Sequence, residues 1–209
     1  MAGRPRGMED AVILRAAAEV MGQVGPSGLT LAAVARRVGL VPGTLVQRFG
    51  SKRGLILALA DQSVRDVEAL PDRVRDEQGS ALGALAALFT QWMAPMITPE
   101  TFAHHLAFLC ADLTDPDLHE RALAVHRAQR RAVGTLLEEA VSAGELAATT
   151  DVEELTATVL AVTSGTGLTW ALDRRGTLDR RVRHGLDTVL APHLATPRRP
   201  EPPHHLETT

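Results

Sequence analysis

The chain has 209 residues and a formal net charge of −3, and 45% of its residues are hydrophobic but only 3% aromatic. Ala (32) and Leu (29) supply 61 of the residues, which favours an all-α protein over a β-sandwich or barrel. The charge is uneven, because residues 1–60 carry a net +5 and residues 61–194 a net −8. This division predicts a small anion-binding module joined to an acidic body.

Cysteine content and hydropathy indicate the compartment. Cys110 is the single cysteine, which excludes an intramolecular disulfide framework. We find no apolar run long enough to cross a bilayer and no apolar signal core at the N-terminus. The sequence therefore predicts a cytoplasmic protein without a membrane partner.

The N-terminal quarter reads as a basic arm followed by short helices. Residues 1–7 (MAGRPRG) are predicted to be flexible, and a first helix follows from about Asp10 until the Gly25-Pro26-Ser27-Gly28 break. Thr30 is placed to cap a second helix that ends at Val38. A third helix is predicted over 42–49, with proline at its first position.

The rest of the chain is also predicted to be helical. Ser51 caps a connecting helix over 52–70, and Pro71-Asp72 then loosens the chain. Further helices are expected at about 76–93, 100–112, 116–143, 151–174 and 177–194, which gives about nine helices and no confident strand. We divide the chain into an N-terminal helical domain at 8–51, this connecting helix and a C-terminal domain at 71–194. The proline-rich segment 195–209 is predicted to be disordered.

The segment Leu31–Phe49 (LAAVARRVGLVPGTLVQRF) has the pattern of a helix-turn-helix. Ala35 permits close approach of two helices, and Gly39 suits the positive φ of the turn. The second helix presents short polar groups and an arginine, which can read base edges in the major groove. The alternative interpretation is an ordinary pair of core helices joined by a glycine turn.

The span 13–59 resembles the DNA-binding domain of the TetR (tetracycline repressor) family. The matching residues are Ile13, Leu14, Ala17, Gly25, Leu29, Thr30, Leu31, Val34, Ala35, Gly39, Gly43, Thr44, Leu45, Phe49, Ser51, Lys52 and Leu55. The length and helix count of the downstream chain also resemble the family's ligand-binding and dimerisation domain. The resemblance implies a homodimer on a pseudo-palindromic double-stranded DNA operator, with a small-molecule effector that releases it.

The resemblance also implies a set of DNA-contacting residues. They are Thr30, Pro42, Gly43, Thr44, Val46, Gln47, Arg48 and Lys52. Arg4 and Arg6 of the basic arm precede the matching span, and we expect them to reach phosphates or an adjacent minor groove, as basic arms do. Lys52 stands at the family's usual phosphate contact. Val46 stands where the family usually has a DNA-contacting tyrosine, and Val41 and Ala33 replace a small polar residue and an acid. We therefore hypothesise that base readout depends on Gln47 and Arg48.

The family's ligand and dimer sites lie in the C-terminal domain. The predicted interface uses the helices near 151–174 and 177–194. The candidate ligand-binding residues are Trp92, Met93, Met96, Phe102, His105, Phe108, Leu109, Thr166 and Trp170. Between Ala81 and Ala111, Glu100 is the one residue of the types Asp, Glu, Lys and Arg. We therefore expect a largely apolar effector.

Other classes of function have weaker support. Histidines such as His119 and His126 lack the spacing of a metal site, and no cofactor motif or catalytic triad is present. We therefore expect neither metal nor cofactor, and no enzyme activity. An activator or a chromosome-associated factor with the same fold remains an alternative, and an all-helical enzyme is a more distant one.

Overall fold

The computed structural model describes residues 9–195, and the predicted arm and most of the predicted tail lie outside this range. The described residues form nine α-helices, in agreement with the predicted all-α class. These are α1 (Asp10–Gly28), α2 (Leu31–Val38), α3 (Pro42–Phe49), α4 (Lys52–Glu77), α5 (Ala81–Met93), α6 (Pro99–Asp112), α7 (Pro116–Ser142), α8 (Val152–Asp173) and α9 (Leu178–Leu190). A 3₁₀ turn over Ala191–His193 follows, and an isolated antiparallel bridge joins Leu146 to Leu194.

Helices α1–α4 enclose a small N-terminal core. Its fully buried side chains include Ile13, Leu29, Val34, Leu45 and Leu55. The predicted break in α1 occurs at Gly25, whose φ of 71° and ψ of 177° interrupt the helical path before Pro26. The chain therefore turns between α1 and α2 at the glycine that the sequence marked.

Side-chain caps set most of the helix starts. Thr30, Ser51, Ser80, Thr98, Asp115, Asp151 and Thr177 each accept a hydrogen bond from a backbone N–H in the first turn of the next helix. These residue types satisfy amides that the first helical turn leaves without an acceptor. Val41 gives α3 no such bond, as expected from its side chain, and α3 begins with Pro42 instead.

The prediction that the fourth helix ends near Leu70 is wrong. Helix α4 continues through Pro71 to Glu77, and α5 begins at Ala81 instead of near Asp76. Pro71 removes one helical hydrogen bond, but Leu70 and Val74 on either side of it are buried in the C-terminal core. Tertiary burial therefore holds the helix together across the proline.

Helices α5, α7, α8 and α9, with the second half of α4, enclose the C-terminal core. Its buried residues include Leu85, Phe89, Leu136 and Val159. The stripe formed by Val182, Leu186 and Leu190 on α9 is buried in this same core. The apolar stripe of α9 therefore stabilises the C-terminal core of its own chain.

Helix α6 lies between the two cores. His104 Nδ1 donates to the Gly22 carbonyl oxygen over 2.8 Å, and Phe108 packs against the N-terminal core. At the other end of α6, Phe102 fits against Gly167 of α8, where an added Cβ would lie 2.3 Å from the ring. Helix α6 therefore touches both the N-terminal core and the C-terminal core.

The sequence predicted no segment long and apolar enough to cross a bilayer, but α8 meets that criterion. Within the described part of the chain, it alone is long and apolar enough to cross a bilayer by length and composition, with a mean hydropathy of 1.3. One such helix is weak evidence for a membrane span, because core helices of globular proteins pass the same test. Here α8 packs against α7 and α9.

Candidate functional site

Helices α2 and α3 form the helix-turn-helix that the sequence predicted. Ala35 and Leu45 are fully buried where the two helices meet. Gly39 closes α2 with a φ of 71°, and the Leu40 amide donates to the Ala35 carbonyl oxygen over 2.9 Å. The pair is therefore fixed as a unit, with one face of α3 directed outward.

The outward face of α3 contains most of the predicted base-reading residues. Pro42, Gly43, Val46 and Gln47 are exposed, while Thr44 is partly covered. Val46 is 50% exposed, although an isolated valine gains nothing from contact with water. An apolar side chain at this position can meet a thymine methyl group in the major groove.

Arg48 is anchored to α1. Its Nη1 donates to Oδ1 of Asp10 over 2.9 Å, and 27% of the arginine side chain is exposed. The sequence placed Arg48 on the recognition face but gave no sign that the first residue of α1 would hold it. The two residues are 38 positions apart, so no local pattern connects them.

Lys52 and Thr30 each have a structural partner. Lys52 Nζ donates to the Pro26 carbonyl oxygen over 2.7 Å, and Thr30 Oγ1 accepts from the Ala33 amide over 3.0 Å. Pro26 lies in the last turn of α1, where carbonyl oxygens have no helical donor. Both side chains lie near the start of a helix, where an anion such as phosphate is also favoured. Arg4 and Arg6 lie outside the described residues.

Two family models match almost the whole helical chain. One, described as "Bacterial regulatory proteins, tetR family", matches residues 13–59, and another, "Tetracyclin repressor-like, C-terminal domain", matches residues 75–189. The second match alone covers more than half of the chain. This chain belongs to the TetR family of bacterial regulatory proteins.

Solved structures agree with this TetR-family fold. FadR of Bacillus subtilis in complex with stearoyl-CoA aligns with a TM-score of 0.63 at 17% identity, covering 88% of this chain and 98% of that one. SmeT, the repressor of the Stenotrophomonas maltophilia efflux pump SmeDEF, gives 0.61 at 18% identity and covers 91% and 93%. MbdR of Azoarcus sp. CIB gives 0.62 at 21%, covering 87% and 96%. A search of curated proteins found no match.

Five of the nine candidate ligand residues in this TetR-family chain meet the C-terminal core. Trp92, Met93, Met96 and Phe102 pack against it, and Trp170 is buried within it. Phe102 and Trp170 stack edge to face with centroids 6.4 Å apart. The indole nitrogen of Trp170 donates to the Gly176 carbonyl oxygen, whereas that of Trp92 is buried without a hydrogen-bond partner in the described part of the chain.

The other four candidates lie elsewhere. His105 faces Gly22 of α1, and Phe108 packs against the N-terminal core. Leu109 is 45% exposed, and Thr166 faces Gly185 of α9. The structure therefore does not bring the nine residues into one site.

Two open grooves of about 400 Å³ flank α7. One lies against α4 and the other against the start of α8, and they share Arg131 and Thr135. None of the nine candidate residues lines either groove. In the described residues no group of three or more metal-ligating side chains is found.

Sequence reasoning missed a charged cluster between the two domains. Arg53, in the first turn of α4, donates to Asp115 and, over 2.7 Å, to Asp117 at the start of α7. Hydrogen bonding to Arg53 lowers the pKa of Asp115 to about 2. Burial, together with the charge of Asp115, raises the pKa of nearby Asp112 to about 6. The Asp115-Pro116 pair predicted a helix start, but its partner is 62 residues away.

Proposed function

We propose that this chain is a transcriptional repressor that binds a pseudo-palindromic operator as a homodimer and is released by a small molecule. The observation that carries the proposal is the exposed face of α3, held on a basic domain that is joined to an acidic helical domain. A repressor needs both parts, one to hold DNA and one to respond. We place this regulator in the cytoplasm, with its DNA.

Specific DNA recognition is assigned to the predicted face of α3. Gln47 can pair with adenine and Arg48 with guanine, while Val46 favours a thymine methyl group. Lys52 and the nearby helix N-terminus suit a phosphate. The acidic body faces away from DNA in this arrangement, since its charge would repel the phosphates.

The proposed dimer uses the outer face of α8 and the exposed side of α9. Leu168 and Leu172 on this face are 46% and 76% exposed in the single chain. Small residues such as Ala161 and Gly165 lie on the same exposed side and allow close helix approach. A two-fold axis beside α8 would set two copies of α3 about one DNA turn apart.

The proposed effector is a largely apolar molecule. The candidate wall of Trp92, Met93, Met96 and Phe102 is apolar, and the buried indole N–H of Trp92 offers a hydrogen bond to one acceptor atom. FadR of Bacillus subtilis, which has the same fold, was crystallised with stearoyl-CoA. The stearoyl chain of that ligand is apolar, as the proposed effector is.

Release follows from linkage between the two sites. The effector must bind the off-DNA arrangement more tightly, and DNA must weaken effector binding by the same factor. Helix α4 runs from the helix-turn-helix to the C-terminal core, and α6 contacts both cores. Through these two helices, a ligand in the C-terminal domain can change the distance between the two α3 helices of the dimer.

The experiment is selection of duplexes from a random library by the purified protein, followed by gel shifts. We expect enrichment of an inverted repeat, bound with two protomers per duplex. Gln47→Ala should lose about 1–3 kcal/mol of binding to the selected duplex. The matched control Gln23→Ala changes an exposed glutamine on α1 and should bind normally. Recovery of unrelated sequences would contradict sequence-specific repression.

A transcription assay on the selected site separates a repressor from an activator. A promoter that overlaps the selected duplex should lose transcript as the protein is added. Palmitoyl-CoA and a short-chain acyl-CoA share the same charged coenzyme A group and differ in the length of the apolar chain, so the pair tests whether release depends on the apolar part. Increased transcript on protein addition would favour the activator alternative.

A further inference from the structure

The salt bridge between Asp10 and Arg48 crosses from the first residue of α1 to the last turn of the recognition helix α3. The Nη1–Oδ1 distance is 2.9 Å. The arginine side chain is 27% exposed and the aspartate side chain 62% exposed. The pair therefore lies at the solvent-exposed rim of the proposed DNA-binding face.

An arginine that binds a base loses side-chain conformational entropy, and a partner that already holds it reduces this loss. A free arginine side chain samples many rotamers, and most of that freedom is lost when it contacts a base. A carboxylate that holds the guanidinium beforehand removes part of this loss, because the planar group is already oriented. The same orientation also limits which base edges the arginine can reach.

Asp10 lies in the first turn of α1, where its negative charge also favours the helix N-terminus. Glu9 at the N-cap makes no side-chain capping bond and adds a second negative charge beside the same end of the helix. An acid at the edge of a DNA-binding face also repels phosphates. A carboxylate that served only the helix would therefore weaken binding to every duplex.

We infer that Asp10 is a positioning residue for sequence recognition, which orients Arg48 so that it reads one base pair. This inference rests on the proposed function of the α3 face. Asp10 increases the ratio of specific to non-specific binding while it reduces the affinity for DNA in general. Its loss removes the carboxylate that orients the guanidinium, so that Arg48 discriminates less between bases.

The test compares Asp10→Asn with Glu19→Gln. Glu19 also lies on α1 and pairs with an arginine, Arg37 of α2, over 2.6 Å. Each variant removes one negative charge and one salt bridge, but only the first touches the recognition helix. Gel shifts measure affinity for the duplex that the wild-type protein selects from a random library and for a shuffled duplex of equal length.

We expect Asp10→Asn to lower the ratio of the two affinities about fivefold or more, the lower end of what a bidentate arginine contributes. Binding to the shuffled duplex should stay equal or become tighter, and Glu19→Gln should keep the wild-type ratio. Asp10→Glu should restore part of the ratio. In an Arg48→Ala background, Asp10→Asn should change the ratio no further.

Three results would overturn the inference. These are an increased ratio in Asp10→Asn, equal ratios in Asp10→Asn and Glu19→Gln, and a full effect of Asp10→Asn without Arg48. Thermal unfolding of both variants shows whether they fold. If Asp10→Asn is unfolded, the same affinity ratio is measured with Asp10→Glu instead. If the wild-type protein selects no sequence at all, the proposed function fails first, so the two failures are distinct.

Discussion

The ammonium nitrogen of Lys52 lies 2.7 Å from the carbonyl oxygen of Pro26, so the first residue of α4 closes the end of α1. The same nitrogen lies 3.5 Å from the Ser27 carbonyl oxygen. Lys52 therefore has a role in the fold in addition to the phosphate contact that the family resemblance implies. The two roles can be measured separately, because the contact with Pro26 affects stability in the absence of DNA.

We expect Lys52→Met to affect both roles. The loss of a charged donor from partly buried carbonyl groups should lower the free energy of unfolding by about 1–2 kcal/mol. Loss of one phosphate contact should lower the slope of log affinity against log salt by about 1. Urea unfolding and gel shifts at several salt concentrations measure the two effects. An unchanged salt slope would leave Lys52 with its structural role alone.

Gly54 is required by the close approach of α4 to the end of α3. A Cβ on Gly54 would lie 2.0 Å from the Phe49 carbonyl oxygen, which is backbone and cannot move aside cheaply. Gly54→Ala should therefore destabilise the protein by about 3 kcal/mol. Gly43→Ala is the matched control, because a Cβ there meets no atom within 4 Å and alanine favours the helix. Equal melting temperatures for the two variants would refute this reading.

Local features of the fold were predictable from the sequence. Thr30, Gly39, Ser51 and Asp115 act on the residues next to them, so caps and turns place most helix starts. The end of α4 was not predictable in this way, because burial of Leu70 and Val74 decides it. Local chemistry favours a break at Pro71, and distant packing outweighs it.

The candidate sites follow the same division. The exposure of α3 follows from its own amphipathic pattern, with Leu45 inside and Gln47 outside. The Asp10–Arg48 and Lys52–Pro26 contacts join residues 38 and 26 positions apart. Their formation depends on where the tertiary fold places α1 relative to α3 and α4, which no short motif encodes. The candidate ligand residues were chosen by type alone, and they separate into different regions for this reason.

Asp112 should make stability depend on pH. It is 7% exposed, its Oδ1 has no hydrogen-bond partner among residues 9–195, and its pKa is raised from 3.8 to about 6. Between these two values the native state binds a proton that the unfolded chain has released, so stability falls as pH rises. The cost is complete above about pH 6 and absent below about pH 4.

Asp112→Asn should remove this cost. The variant should gain about 1–3 kcal/mol relative to wild type between pH 4 and pH 8, since one pKa unit corresponds to about 1.4 kcal/mol. Urea unfolding at the two pH values measures the difference. Asp76→Asn, at an exposed position, is the control and should show a smaller change. The prediction would be contradicted if the difference in free energy of unfolding between Asp112→Asn and the wild type were the same at both pH values.

The proposed dimer predicts that charge on the outer face of α8 prevents association. Leu172→Glu should raise the dimer dissociation constant about a hundredfold or more, because a carboxylate would be buried against its symmetry mate. Ile97→Glu is the control, since Ile97 is 78% exposed against 76% for Leu172 but lies outside α8. Sedimentation velocity should show a monomer for the first variant and a dimer for the second.

Gel shifts should then show weaker binding of Leu172→Glu to an inverted repeat, because two α3 helices no longer bind as one unit. If Leu172→Glu remains a dimer while Ile97→Glu dissociates, the interface lies elsewhere and the two-fold axis beside α8 must be abandoned.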